Sequence, residues 1–465
     1  MNIRNLFFFN FAKIVILLCV LLLLTGCETI PLATPTLTSH SPSVKFENVH
    51  GPLTPKQNDM VLKELRKNSP VTTIFNKHLP REGEIADQPL MIGNKAKLLV
   101  DGPATYVSMI QDIENAKDHI NIEIFSFEDD EVGRRFADLL INKQRNGVQV
   151  NIIYDSYGSI NTPKAFFKQM EEIGINVLEY NPINPLIGSK EWNVNRRDHR
   201  KLLIVDGNIA FVGGINISNV YSSGSFGRKS KSNKNDQPWR DTHLRVIGPV
   251  VKEFQKLFIS TWMEQNGNQL ISKDYYPHLV EKGNEIVRAI SNTPEKTYSS
   301  IHSILISAIN NSERKVYLTN AYFVPDSHLL DALKAAAQRG VDVKLLLPEK
   351  TDSVMVFYAS HSYYDELLNS GVKIYTRQDA LLHAKTALID DVWSTIGSTN
   401  LDWRSLYNNH ELNAIILGKD FGVELNSLFD KDLRASKQIT LEEWSERSLG
   451  TRLKERMARL WARWL

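Results

Sequence analysis

Two stretches of the chain repeat one pattern, His-x-Lys followed by four residues and Asp. The first holds His199, Lys201 and Asp206, the second His383, Lys385 and Asp390. Each leads, at the same distance, into a glycine-containing turn that ends in asparagine: Gly213-Gly214-Ile215-Asn216 and Gly397-Ser398-Thr399-Asn400. An imidazole can attack phosphorus or carry a proton near neutral pH. An ammonium and a carboxamide can hold the non-bridging oxygens of a phosphate. Two such sets, one from each half of a chain, suit displacement at a phosphodiester. A single copy arises often by chance; two copies with matching tails seldom do.

The elements that must position these groups also repeat. His and Lys two residues apart share one face of an extended segment, and Leu202–Val205 and Thr386–Ile389 continue each motif as a strand. In the first half, the patterning predicts a strand over 120–127, a helix over 132–145, a buried strand over 147–153, a helix over 165–173 and a strand over 174–178. The second half gives strand 315–323, helix 328–339, strand 340–346, helix 363–369 and strand 371–375. Strands alternating with helices imply βαβ units and a largely parallel sheet with helices on both faces. The expected fold class is α/β: two pseudo-symmetric α/β/α lobes, duplicated, with the site at their interface. Gly213, Gly214, Gly397 and Ser398 are expected to let backbone approach a phosphate closely. Asp129 and Asp130 read as the N-terminus of the helix that follows them.

A chain of 465 residues exceeds the size of one small core, which agrees with two lobes. The net charge of +2 argues against a dedicated nucleic-acid binder. The two cysteines, Cys19 and Cys27, both lie near the N-terminus, so no disulfide framework or zinc cluster can form downstream. His243, His302, His328, His361 and His410 stand at no metal-ligand spacing and read as core or surface residues.

The paired motifs resemble those of the phospholipase D superfamily. Within it, Arg196–Lys201, Trp239–His243, Tyr322–Asp326 and Asn400–Ser405 are similar to segments of bacterial cardiolipin synthases, and the likeness runs from about Lys97 to the C-terminus. The resemblance implies the superfamily fold, a phosphohistidine intermediate, and no metal or cofactor. It implies His199 as nucleophile and His383 as general acid and base, although the two near-symmetric sets leave the order open. It implies that Lys201, Lys385, Asn216 and Asn400, with Gly214 and Ser398, bind phosphate oxygens. A carboxylate downstream of each motif, Asp241 and Glu411, would orient an imidazole, and Asp206 and Asp390 look more structural than proton-transferring. The implied reaction makes cardiolipin from phosphatidylglycerol and a second phospholipid, phosphatidylethanolamine being one candidate. A hydrolytic phospholipase D and a secreted nuclease are the alternatives.

Ahead of the repeat, Arg4 and Lys13 precede the apolar run Ile14–Leu24, and Leu24-Thr25-Gly26-Cys27 resembles a bacterial lipobox. The expected layout is a lipoprotein signal peptide over 1–26, lipidation at Cys27 and a Pro/Ser/Thr-rich tether over 27–55. A first lobe over 56–275 and a second over 276–432 follow, with a basic amphipathic tail over 433–465. This predicts a monomer anchored on the periplasmic side of a bacterial envelope, the outer membrane favoured over the inner. Ser222–Asn235 reads as a basic loop near lipid head groups. In the tail, Leu453, Met457, Leu460, Trp461 and Trp464 share a helical face ringed by arginine and lysine, the pattern of a helix lying at a membrane surface.

Overall fold

The computed structural model describes residues 29–33, 44–67, 69–184, 193–225, 237–294 and 296–465. The signal segment, Cys27 and residues 226–235 of the basic loop lie outside the described residues.

The repeat read from the sequence is present strand for strand. In the first lobe the hydrogen-bonded order is Asn176–Tyr180, Gln149–Asp155, His119–Ile124, Lys201–Val205, Ile209–Gly213, Thr242–Ile247 and Leu90–Val100. In the second it is Lys373–Arg377, Asp342–Pro348, Lys315–Thr319, Thr386–Ile389, Trp393–Gly397, Asn409–Leu417 and Glu285–Asn292. Helices Glu131–Arg145 and Ser327–Gln338 occupy equivalent crossovers. Asp130 caps the first of these, its Oδ1 accepting from Gly133 N at 2.9 Å, as the acidic pair predicted. Both helices end in a glycine with left-handed backbone, Gly147 at φ 86° and Gly340 at φ 88°, which turns the chain into the next strand.

The expectation of a largely parallel sheet needs correction. Three strands of each lobe are parallel; the motif strand and those after it run antiparallel. The cause lies in the motif itself. Val205 pairs with Ile209 and Ile389 with Trp393, so each motif strand returns through a three-residue turn, too short for a parallel crossover. Asp206 (φ 50°), Gly207 (φ 60°), Asp390 (φ 54°) and Asp391 (φ 62°) supply the left-handed residues of these turns.

Strand alternation sorts the side chains. Leu203 and Val205 face a core under the first lobe's outer helices, while Leu202 and Ile204 face a central core. That central core also holds Leu388 from the second motif and residues of helices Val251–Glu264 and Lys419–Arg434. The lobes thus share one apolar layer. They also share a strand, since Met91 of Leu90–Val100 pairs with the second lobe and Lys95 to Val100 with the first.

The boundaries expected at both ends need correction. Residues ahead of it pack on the second lobe. Phe46, Leu62, Val71, Ile74, Phe75 and Leu79 join its core rather than that of the first lobe. Buried Glu82 fixes this docking: it lies within ion-pair distance of His78 Nε2 (3.0 Å) and Arg288 Nε (3.3 Å) and accepts a hydrogen bond from Trp393 Nε1 (2.9 Å). Burial pushes the Glu82 carboxyl up, but Arg288 and His78 outweigh it and hold it below the usual range. Described residues on both sides of the expected tether's middle pack instead. Ile30 and Ala33 are buried, with Ala33 N donating to Ser303 Oγ at 3.0 Å, and Phe46–Asn48 is already a strand. Nor is 433–465 merely appended: Ser436–Ile439 extends the second sheet beside Lys373–Arg377, and Trp444 is buried against Tyr364.

Candidate active site

Each motif is completed by a short strand from the opposite lobe. Arg197–Asp198 pairs with Asn409–His410, and Trp239–Arg240 with Leu381–Leu382. In consequence His199 N donates to His410 O at 2.9 Å, and His383 N donates to Arg240 O at 2.7 Å. The residue after each of those acceptors is a carboxylic acid. Glu411 Oε1 lies 2.9 Å from His199 Nδ1, and Asp241 Oδ2 lies 2.7 Å from His383 Nδ1. Each imidazole is therefore oriented by the other lobe's carboxyl group, not by the one downstream of its own motif. With Nδ1 so engaged, Nε2 is the nitrogen left for a substrate. Guanidinium groups span the crossing: Arg240 grips Asp432 at 2.9 and 2.7 Å, and Arg200, held in its own lobe by Thr261 Oγ1 at 2.7 Å, reaches Glu411 O and Asn292 O at 3.4 Å.

The lysines follow their histidines to the same place. Lys201 Nζ donates to His199 O at 2.7 Å, and Lys385 Nζ lies 2.9 Å from His383 Nδ1. Asn216 is tied in by Ser126 N (3.2 Å) and Tyr221 Oη (3.2 Å). Asn400 is buried with its Oδ1 unbonded.

Two expected phosphate contacts are reassigned. Gly214 N donates to Thr242 O at 3.1 Å and Ser398 N to Leu412 O at 3.0 Å, so neither amide is left for an anion. A Cβ on Gly214 would stand 2.2 Å from Asp241 Oδ1: what approaches that glycine is the orienting carboxylate. Ser398 Oγ donates to Glu411 Oε2 and steadies the other one.

Asp206 and Asp390 lie away from the site. Each lies seven residue steps along the chain from its histidine, mostly in extended strand, roughly 20 Å. Asp206 accepts from the amides of Lys117, Asp118 and His119, and Asp390 from those of Glu313, Arg314 and Lys315, all within 3.1 Å. They tie the motif hairpin to the neighbouring strand's start. Asp206→Ala and Asp390→Ala are each expected to cost roughly 1–3 kcal/mol, because backbone donors lose their acceptor and alanine resists a left-handed turn. Thermal unfolding should fall while turnover per folded molecule stays within about twofold.

A family model described as cardiolipin synthase, PLD-like domain, matches residues 109–227 and 305–433, one stretch in each lobe. The chain belongs to the cardiolipin synthase family. A cardiolipin synthase of Listeria monocytogenes serotype 4a is 37% identical over 370 residues, covering 79% of this chain and 74% of that one. One from Geobacillus kaustophilus is 34% identical over 379 residues, 81% and 73% of the two chains. The crystal structure of a phosphatidylserine synthase from Haemophilus influenzae superposes with a TM-score of 0.58 at 15% identity, covering 83% of this chain and 98% of that one; the two share a fold.

Aromatic rings wall the site of this cardiolipin synthase family member unevenly. Phe125 stands edge-on to His199 at 4.9 Å, whereas Trp239 and Tyr221 stand 5.1 and 5.8 Å from His383. Nothing in the local spacing of Phe125 and Tyr221 marks them for the site, and the sequence analysis did not name them. Burial dominates the electrostatics. It depresses His199 well below the usual imidazole value, helped by Lys201 and Lys385. It lowers His383 to about 4 together with Lys385, against the pull of Asp241. The carboxyls differ more. Burial raises Glu411 to about 8, whereas Asp241, equally buried, is held low by His383 and Lys385.

Desolvation lowers Lys201 to about 7 and Lys385 to about 8. Both lysines are charged below these values and neutral above, and Glu411 becomes an anion over the same range. Affinity for an inorganic oxyanion such as tungstate is therefore expected to fall at least about tenfold from pH 7 to pH 9. Lys201→Arg and Lys385→Arg together should flatten the profile. Calorimetric titration checks this; a wild-type affinity independent of pH defeats it.

Proposed function

We propose that this protein is a membrane-attached phosphatidyltransferase that makes cardiolipin. The observation that carries the reading is the pair of imidazoles, one from each lobe, each bonded through Nδ1 to the opposite lobe's carboxyl group beside two lysines. His199 Nε2 attacks the donor's phosphorus, and the bond to the head-group oxygen breaks. His383 gives that oxygen its proton. Burial and Lys385 keep His383 neutral in the empty site, and an anionic phosphodiester opposes that lowering, so substrate and proton enter together. Lys201, Lys385 and the asparagine amides hold the charge of the five-coordinate state. The glycerol hydroxyl of phosphatidylglycerol then loses its proton to His383 and attacks phosphorus. The phosphorus–nitrogen bond breaks, cardiolipin leaves and His199 is restored. Glycerol is the by-product if the donor is phosphatidylglycerol, and ethanolamine if it is phosphatidylethanolamine.

No helix among the described residues is long and apolar enough to cross a membrane. Attachment in this reading runs through a lipidated Cys27 on the periplasmic side of the envelope, at the outer membrane. Ile30, three residues further on, is held on the second lobe, its N donating to Asp326 Oδ2 at 3.3 Å. The protein acts as a monomer, both motifs coming from one chain.

Purified protein in mixed micelles of phosphatidylglycerol, with and without phosphatidylethanolamine, tests the reaction by mass spectrometry of the lipids. Cardiolipin is expected, and none from His199→Ala or His383→Ala. Phosphatidic acid without cardiolipin would make the protein a hydrolytic phospholipase D.

A further inference from the structure

The C-terminal helix Leu449–Leu460 is turned inside out relative to an ordinary surface helix. Its buried residues are Glu455 and Ala458, and polar contacts fasten it. Arg447 bonds Glu455 at 3.0 Å and Asp365 at 2.6 Å. Arg459 pairs with Glu366 at 2.7 Å and covers the Tyr363 ring at 4.3 Å. The apolar side chains face outward. Leu449, Leu453, Met457, Leu460, Trp461 and Trp464 are 48% to 83% exposed, and their spacing of three or four residues makes one stripe. A contiguous apolar surface of this kind marks an interaction site. By helical spacing Arg452 and Arg456 flank the stripe on one side and Lys454 on the other. Glu455, the sole acid of segment 449–465, is turned inward.

Both ends of this surface run to the wall of the active site. Helix Val354–His361 lies against the C-terminal helix, with Lys454 Nζ 5.6 Å from the Tyr358 ring centre, and exposes Val354 and Met355. That helix starts just after Asp352, which accepts a hydrogen bond from Tyr322, whose ring is 6.4 Å from His383. At the other end Leu465 O accepts from Arg404 N at 3.1 Å, and Arg463 covers the Trp403 ring at 5.5 Å. Trp403 and Arg404 lie between Asp402 and Ser405, two residues that act on Glu411.

The geometry points to this surface as the seat for an anionic phospholipid bilayer, with the active site opening onto the lipids beside it. The inference rests on the phospholipid-transfer reading above. A bilayer is the occupant because the surface joins an apolar stripe and two tryptophans to exclusively basic flanks, which complement acyl chains, the interface and anionic head groups respectively.

The test uses the full chain and two readouts. Vesicles of brominated phosphatidylcholine with phosphatidylserine should quench a component of tryptophan fluorescence that is missing in Trp461→Phe/Trp464→Phe. The quenching should fade at high salt and with phosphatidylcholine alone. Leu453→Glu/Met457→Glu should lower turnover of phosphatidylglycerol in vesicles at least about tenfold. Turnover of dispersed short-chain phosphatidylglycerol should stay within about twofold, which also shows that the variant folds. Absence of that quenching, equal quenching without the anionic lipid, or vesicle turnover matching wild type overturns the proposal. If wild type turns over neither lipid form, the transfer reading fails, and the quenching still decides the docking.

Discussion

His199→Ala and His383→Ala are expected to fail at different steps. On phosphatidylglycerol both should be almost inert. Loss of the nucleophile costs at least about 10⁴-fold and loss of the proton carrier about 10²- to 10⁴-fold. A phosphatidyl ester of p-nitrophenol separates them, because this leaving group departs without a proton. His383→Ala should then release about one equivalent of p-nitrophenol per protein in a burst and stall as phosphatidyl-histidine. His199→Ala should release none. The asymmetry of the carboxyl partners favours this order over its reverse. Asp241, held ionised, supports an imidazolium at His383 and so a proton ready for the leaving oxygen. Glu411, raised to about 8 by burial, gives His199 little such support and leaves it a neutral nucleophile. A burst from His199→Ala and none from His383→Ala would exchange the roles.

The second large effect concerns those carboxyls directly. Asp241→Asn removes a charge and allows the amide to donate, which misplaces the His383 proton; the expected loss is about 10³- to 10⁴-fold in kcat. Glu411→Gln replaces a group that is mostly neutral at pH 7 with a neutral one of the same shape, and should cost about tenfold or less. Its effect should grow above pH 8, where wild-type Glu411 ionises. A double-mutant cycle reads the crossing between lobes. Asp241→Asn should add little to His383→Ala, and in the p-nitrophenyl assay it should keep the burst, because it acts through a proton that p-nitrophenol does not need. Coupling of Asp241 to His199 instead would mean that the active protein pairs its groups within each lobe.

Much of this molecule was legible in the chain. The period of the apolar residues marked four strands and two helices of each lobe to within a few residues, because each pattern is local and burial enforces it. The spacing of His199 and Lys201, and of His383 and Lys385, put both groups on one face of a strand for the same reason. The short segments Asp206–Asn208 and Asp390–Val392 held the hairpin signal too, although the alternation of strands and helices masked it.

Other features had no local trace. Whether Glu411 serves His383 or His199 depends on a contact across 212 residues, and the Asp241–His383 bond spans 142. Nothing in the segments themselves encodes which lobe's strand will lie beside them. The docking of residues 44–67 and 69–90 on the second lobe was likewise decided by long-range packing. Sequence by itself determined the element types, the duplication and the chemical groups, since those follow from residue identity and short-range spacing. Only the tertiary structure decided which carboxyl orients which imidazole, that Gly214 and Ser398 serve those carboxyls, and that the motif aspartates hold hairpins. Each of these depends on hydrogen bonds formed once the two lobes share a core.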